Sequence, residues 1–194
     1  MRALIERLNA TFAAAASGRN VLLTLIAALL VFSLFGMWLV PAFQAATNGI
    51  YPIDMVMPTT PEVIYENYAA YTDESLRIYH QFLIVDFVWP PLLAILFAMA
   101  WTWLAKRCAS TLPQRMIAAG LLLLPFAEAL LDLLENVGFM LLLDNYPTQL
   151  PAVVWVTAGV RYTKLVLYVL CWLVTLMFLW LAARGALFSR PAQT

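Results

Sequence analysis

Six ionisable residues stand inside stretches of sequence that are otherwise apolar: Asp86, then Glu128, Asp132 and Glu135, then Arg161 and Lys164. At a bilayer centre each would cost about 2.5–3.5 kcal/mol or more if it faced lipid, so all six must face one another or a wet cavity. Helical steps of about 100° place Glu128, Asp132 and Glu135 on one stripe, followed by Asn136. Thr157, Arg161, Lys164, Tyr168 and Thr175 share a similarly narrow face on a later helix. Two polar stripes of opposite sign are therefore expected to oppose one another.

Depth supports that pairing. At 1.5 Å per residue from the outer ends of their helices, Glu135 and Asp132 lie about 12 and 16 Å deep, and Arg161 and Lys164 about 14 and 18 Å deep. Asp86 enters about 6 Å below the outer end of its own helix. Pro90 and Pro91 follow it, and each removes an N–H, which leaves the Asp86 and Phe87 carbonyls without their helical partners and predicts a kink facing the same interior. Pro125 is expected to free the Leu121 carbonyl in the same way.

Four carboxyl groups against two fixed cations leave an excess of acid in a poorly solvated place. Protonated carboxyls, a bound cation, or water entering from the outer side would balance it. Asp86, Glu128, Asp132, Glu135, Asn136, Arg161, Lys164 and Tyr168 are accordingly the expected ligand-binding residues. The acids suit a small cationic or zwitterionic molecule or a proton, and Arg161 and Lys164 suit the phosphate or carboxylate of a lipid headgroup. An alternative expectation makes the cluster a structural ion-pair network in an accessory or scaffolding subunit of a larger membrane complex, or in a homodimer. A lipid-modifying intramembrane enzyme is less favoured. Asp86, Asp132 and Glu135 offer oxygen ligands for Mg²⁺ or Ca²⁺, but the neighbouring cations would repel a metal. No serine or cysteine with an adjacent histidine offers triad chemistry, no catalytic residue is assigned, and no cofactor is called for.

The elements that carry these residues are legible from composition. The 194 residues are 64% hydrophobic and 11% charged, with a mean hydropathy of +0.84, far more apolar than a soluble domain. A bilayer core about 30 Å thick needs about 20 residues of helix, and four runs qualify: 21–43, 82–105, 116–143 and 152–183. The expected fold is an all-α integral membrane four-helix transmembrane bundle forming a single domain, with both termini inside and a partly helical outer loop. The first run, broken only by Ser33 and Gly36, reads as a retained anchor.

Charge position sets the orientation. Arg2, Arg7, Arg19, Lys106, Arg107, Arg115, Arg184 and Arg190 fall on one side. Asp54, Glu62, Glu66, Asp73, Glu74 and Asp144 fall on the other with Arg77 alone. This bias predicts cytoplasmic termini in a bacterial inner membrane. A net charge of zero excludes nucleic acid as an expected partner and leaves the lipid bilayer as the evident one.

Outside the spans, residues 1–20 suit a cytoplasmic amphipathic helix ended by Gly18, and 184–194 form a cytoplasmic tail. Residues 44–81 form the outer loop, with turn chemistry first and then helices capped by Thr60 and Thr72. Tyr65, Tyr68, Tyr71 and Tyr79 suggest a lid lying at headgroup level, or a docking surface for another protein. Trp101, Trp103 and Trp155 read as belt residues and His80 as interfacial. Cys108 and Cys171 stand on different elements with neither disulfide nor metal-site spacing.

Overall fold

Apolar runs punctuated by proline and glycine become long helices with local breaks in the computed structural model, which describes residues 1–188. Among the described residues all regular structure is helical and there is no strand. Three helical stretches are long and apolar enough to cross a membrane, Gly18–Ala46, Asp73–Ala105 and Pro151–Gly185. A fourth is counted if the bent pair Leu112–Ala118 and Leu123–Asp144 is one span. Arg190 and the end of the tail lie outside the described residues.

The first stretch is not a plain anchor. Helix α2 (Gly18–Leu34) passes through a π-helical turn, Phe35–Leu39, into α3 (Val40–Ala46). Pro41 has no N–H, and its ring would meet the carbonyl four residues back in a regular helix; the wider turn accommodates it. Helix α1 (Arg2–Ala15) forms where the amphipathic segment is expected and is attached to the rest of the chain. Phe12 is buried, Asn9 Nδ2 donates to the Ile117 carbonyl at 3.0 Å, and Lys106 Nζ donates to the Ala13 carbonyl at 2.7 Å. The expected stop at Gly18 falls earlier, since Ser17 caps α2 by accepting from the Asn20 N–H.

In the segment between the first two long helical stretches both expected caps are present. Thr60 accepts from the Val63 N–H to start α4 (Pro61–Ala69), and Thr72 exchanges bonds with Ser75 to start α5 (Asp73–Asp86). The second span therefore begins at Asp73, above the expected residue 82, because a capping box and an apolar face carry the helix upward without interruption. Phe87 and Val88 break it, and α6 (Trp89–Ala105) starts with Pro90 and Pro91 in its first turn, where no N–H is needed.

The third expected span is likewise not one helix. Gly120, at φ +104°, separates α7 (Leu112–Ala118) from α8 (Leu123–Asp144), and the two meet at 54°. Pro125 falls in the first turn of α8, and the Leu121 carbonyl, expected to be freed, accepts from the Leu124 N–H at 3.0 Å. Helix α9 (Pro151–Phe188) is the longest element. It packs most extensively on α8, where Gly138 lets Thr157 approach so closely that a β-carbon at 138 would lie 2.2 Å from Thr157 Oγ1.

Two apolar cores are stacked along the bundle. One gathers Phe35, Phe43, Tyr68, Tyr79 and Phe139, and the other Phe12, Phe97, Trp101 and Phe178. The tyrosines thus do not form a headgroup belt. Tyr65, Tyr68 and Tyr79 are buried, and the Tyr68 hydroxyl donates to the Phe139 carbonyl at 3.1 Å, while that of Tyr71 accepts from the Ile53 N–H at 3.0 Å. Their rings fill the space beneath the lid, where the hydroxyls of Tyr65, Tyr68 and Tyr71 have hydrogen-bond partners and that of Tyr79 has none. Trp101 is also core, donating to Thr175 Oγ1 at 2.8 Å, whereas Trp155 and His80 are exposed.

Candidate functional site

Between the two cores, at matching levels on α5, α8 and α9, lies the polar cluster. Glu128, Asp132 and Glu135 project from one face of α8 toward Arg161 and Lys164 on α9. Lys164 Nζ lies 3.1 Å from Asp132 Oδ1 and is also ion-paired with Glu135. Arg161 Nε lies 3.6 Å from Glu135 Oε1. The antiparallel run of α8 and α9 brings these groups to one level, and side chains this deeply buried require such partners.

The two terminal nitrogens of Arg161 bind the segment in which the sequence shows only turn chemistry. Its Nη2 donates to the Asp54 carbonyl at 2.7 Å and its Nη1 to Thr59 Oγ1 at 3.1 Å. The planar fork of a guanidinium is suited to holding two acceptors and a carboxylate at once. The 3₁₀ turn Ile53–Met55 is thereby pinned over the cluster. Asp54 also turns its carboxyl inward. Its Oδ1 is buried without a hydrogen-bond partner, and burial first, then the Asp86 carboxylate, push the group up to about 8. In the sequence, Asp54 carried only the signal of an outer-side acid. Nothing there marked Thr59.

A cleft of about 270 Å³ opens beside these pairs. Asp86, Glu128, Asp132, Lys164 and Tyr168 line it, together with the rings of Phe32, Phe35, Phe82 and Trp89, and with Met55 from the pinned loop. Glu135, Asn136 and Arg161 lie behind its wall. Asn136 is buried near the Asp86 carboxylate, with its Nδ2 lacking a hydrogen-bond partner. Glu128 is only 2% exposed, and its Oε2 has no hydrogen-bond partner. Tyr168 packs edge-on against Trp172.

Among the described residues no three His, Cys, Asp or Glu side chains are grouped to hold a metal ion. Lys164 stands between Asp132 and Glu135, where a metal would have to sit. No protein-family model matches the chain, and no curated protein or solved structure matches it either.

The cations are engaged and two of the acids are not. Arg161 is held by Glu135, Asp54 and Thr59, and Lys164 by Asp132 and Glu135. Asp86 and Glu128 are left facing the cleft without a cationic side chain in ion-pair contact. Carboxyl groups set among aromatic faces attract positive charge twice, by Coulomb force and through the ring quadrupoles.

Proposed function

We propose that this chain is a four-span integral membrane protein, with both termini on the cytoplasmic side of a bacterial inner membrane, whose intramembrane cleft binds an organic cation. The reading rests on Glu128, a buried carboxyl with an unpartnered oxygen in a cleft walled by aromatic rings. Asp86 faces the same space. An anion would find both cations of the cluster already committed to carboxylates and to the loop. A methylated ammonium suits the aromatic faces better than a small hydrated metal cation, because it gives up little hydration to enter.

Support for the topology comes from the partition of charge. Arg2, Arg7 and Arg19 belong to the end of the bundle where α1 meets α7 and Lys106, and the carboxyl-rich segments α4 and the top of α5 belong to the end where Tyr68 reaches α8.

Binding of tetramethylammonium to the protein in phosphatidylglycerol nanodiscs, followed by titration calorimetry, tests the reading. Glu128→Gln and Asp86→Asn are each expected to weaken binding by about tenfold, equivalent to about 1.4 kcal/mol. Unchanged affinity in both variants, or no binding by the unaltered protein, overturns it.

A further inference from the structure

We infer that the cleft is entered sideways from the bilayer and takes an ammonium-headed amphiphile, its head at Asp86 and Glu128 and its hydrocarbon chain leaving between Phe32 and Leu165. This rests on the organic-cation reading and adds to it the class of ligand and its route.

The walls of the cleft carry the inference. Phe32 and Phe35 come from α2 and its π turn, and Leu165 and Tyr168 come from α9. Helix α2 packs mainly along α6, whereas α9 packs on α8 and α6. The two helices flank α6 without substantial packing on one another, so the space between them is a gap in the wall. Phe32 is 58% exposed and Leu165 39% exposed, and both stand on the apolar outer surface at that gap. An opening lined this way faces hydrocarbon, not water.

At the other end the cleft is covered by a held loop, from which Met55, itself 50% exposed, lines the cleft. Arg161 holds the Asp54 carbonyl and the Thr59 hydroxyl, and Tyr71 accepts from the Ile53 N–H, so the loop bearing Met55 is fixed at both ends. Above it the buried rings of Tyr68, Tyr79 and Phe82 fill the bundle. A ligand arriving from the membrane meets apolar side chains first and carboxyls last, the order in which an alkyl ammonium is built. Methylenes that stay against Phe32 and Leu165 or in lipid avoid exposure to water, so a chain tightens binding relative to the aqueous phase.

The test compares tetramethylammonium, which is the head alone, with dodecyltrimethylammonium, in phosphatidylglycerol nanodiscs, with affinities referred to the free aqueous concentration and uptake by empty discs subtracted as background. The unaltered protein is expected to bind the dodecyl compound at least about thirtyfold more tightly. Leu165→Trp narrows the gap and is expected to weaken dodecyltrimethylammonium about tenfold while leaving tetramethylammonium within about twofold. Leu165→Phe serves as a second, smaller change at the same position, which faces lipid, where a larger ring is tolerated.

Equal affinity for the two compounds, or equal loss of both in both variants, overturns lateral entry. If tetramethylammonium binds and depends on Glu128 while chain length has no effect, only this inference fails; if tetramethylammonium does not bind at all, the cation reading fails first. Replacing half the lipid by phosphatidylethanolamine separates the sources. Displacement of the dodecyl compound assigns the head to a membrane lipid's own amine, and undiminished binding assigns it to a free amphiphile.

Discussion

Asp54 shows how much one side chain changes when a loop folds inward. Its carboxyl has an ordinary value of 3.8 and is raised to about 8, first by burial and then by Asp86. An acid raised on folding keeps a proton that the unfolded chain releases. Its contribution to stability is complete below about pH 4 and is lost progressively as pH rises to about 8. Asp54→Asn removes that dependence. The thermal midpoint in nanodiscs is expected to fall less steeply between about pH 5 and about pH 8 in the variant than in the unaltered protein, and parallel slopes would contradict the buried placement. The residues on α8 and α9 were legible because each is costly in lipid wherever its helix points. Asp54 was legible only as an outer acid, and Thr59 not at all, since neither lies in an apolar run that makes its polarity conspicuous.

At the level of elements, the interface of α8 with α9 sets the geometry of the ion pairs. At Gly138 the Thr157 side chain of α9 fills the space that a side chain on α8 would need. Gly138→Ala forces the helices apart one turn from Glu135, and overpacking of this kind costs about 1–3 kcal/mol. Thermal unfolding should register the loss, and the double variant Gly138→Ala with Thr157→Ala should recover most of it. A single substitution that leaves stability unchanged would mean that α8 and α9 adjust freely at this point. Helix existence followed from apolar length and from the caps at Thr60 and Thr72. Breaks were harder to place. Pro125 sits harmlessly in a first turn, whereas Pro90 and Pro91 follow the break at Phe87 and Val88, and Gly120 and the π turn before Pro41 bend or widen their helices. Proline disrupts only a helix that already extends four residues before it, so its effect depends on where the helix starts.

For the whole molecule, the two ends differ in charge, and the expected orientation has a direct test. With Cys108 and Cys171 replaced by serine and alanine, a cysteine at exposed Glu66 should react with an impermeant maleimide added to intact cells, and one at exposed Ser110 should react only after lysis. The reverse pattern would invert the topology. The sequence by itself determined that the chain is helical and apolar enough to enter a membrane, and it singled out the charged stripes of α8 and α9. These are properties of short windows, set by hydrophobic length, helical period and the local cost of burying charge. Only the tertiary structure decided that Arg161 reaches back 107 residues to the Asp54 carbonyl, that the tyrosines turn inward, and that the first span contributes Phe32 and Phe35 to the cleft. Those contacts join elements far apart in the chain. Their energies depend on which surfaces meet, and composition within any one window carries no record of that choice. The excess of acid that marked the cluster in the sequence thereby became two particular carboxyls, Asp86 and Glu128, left facing a gap between helices.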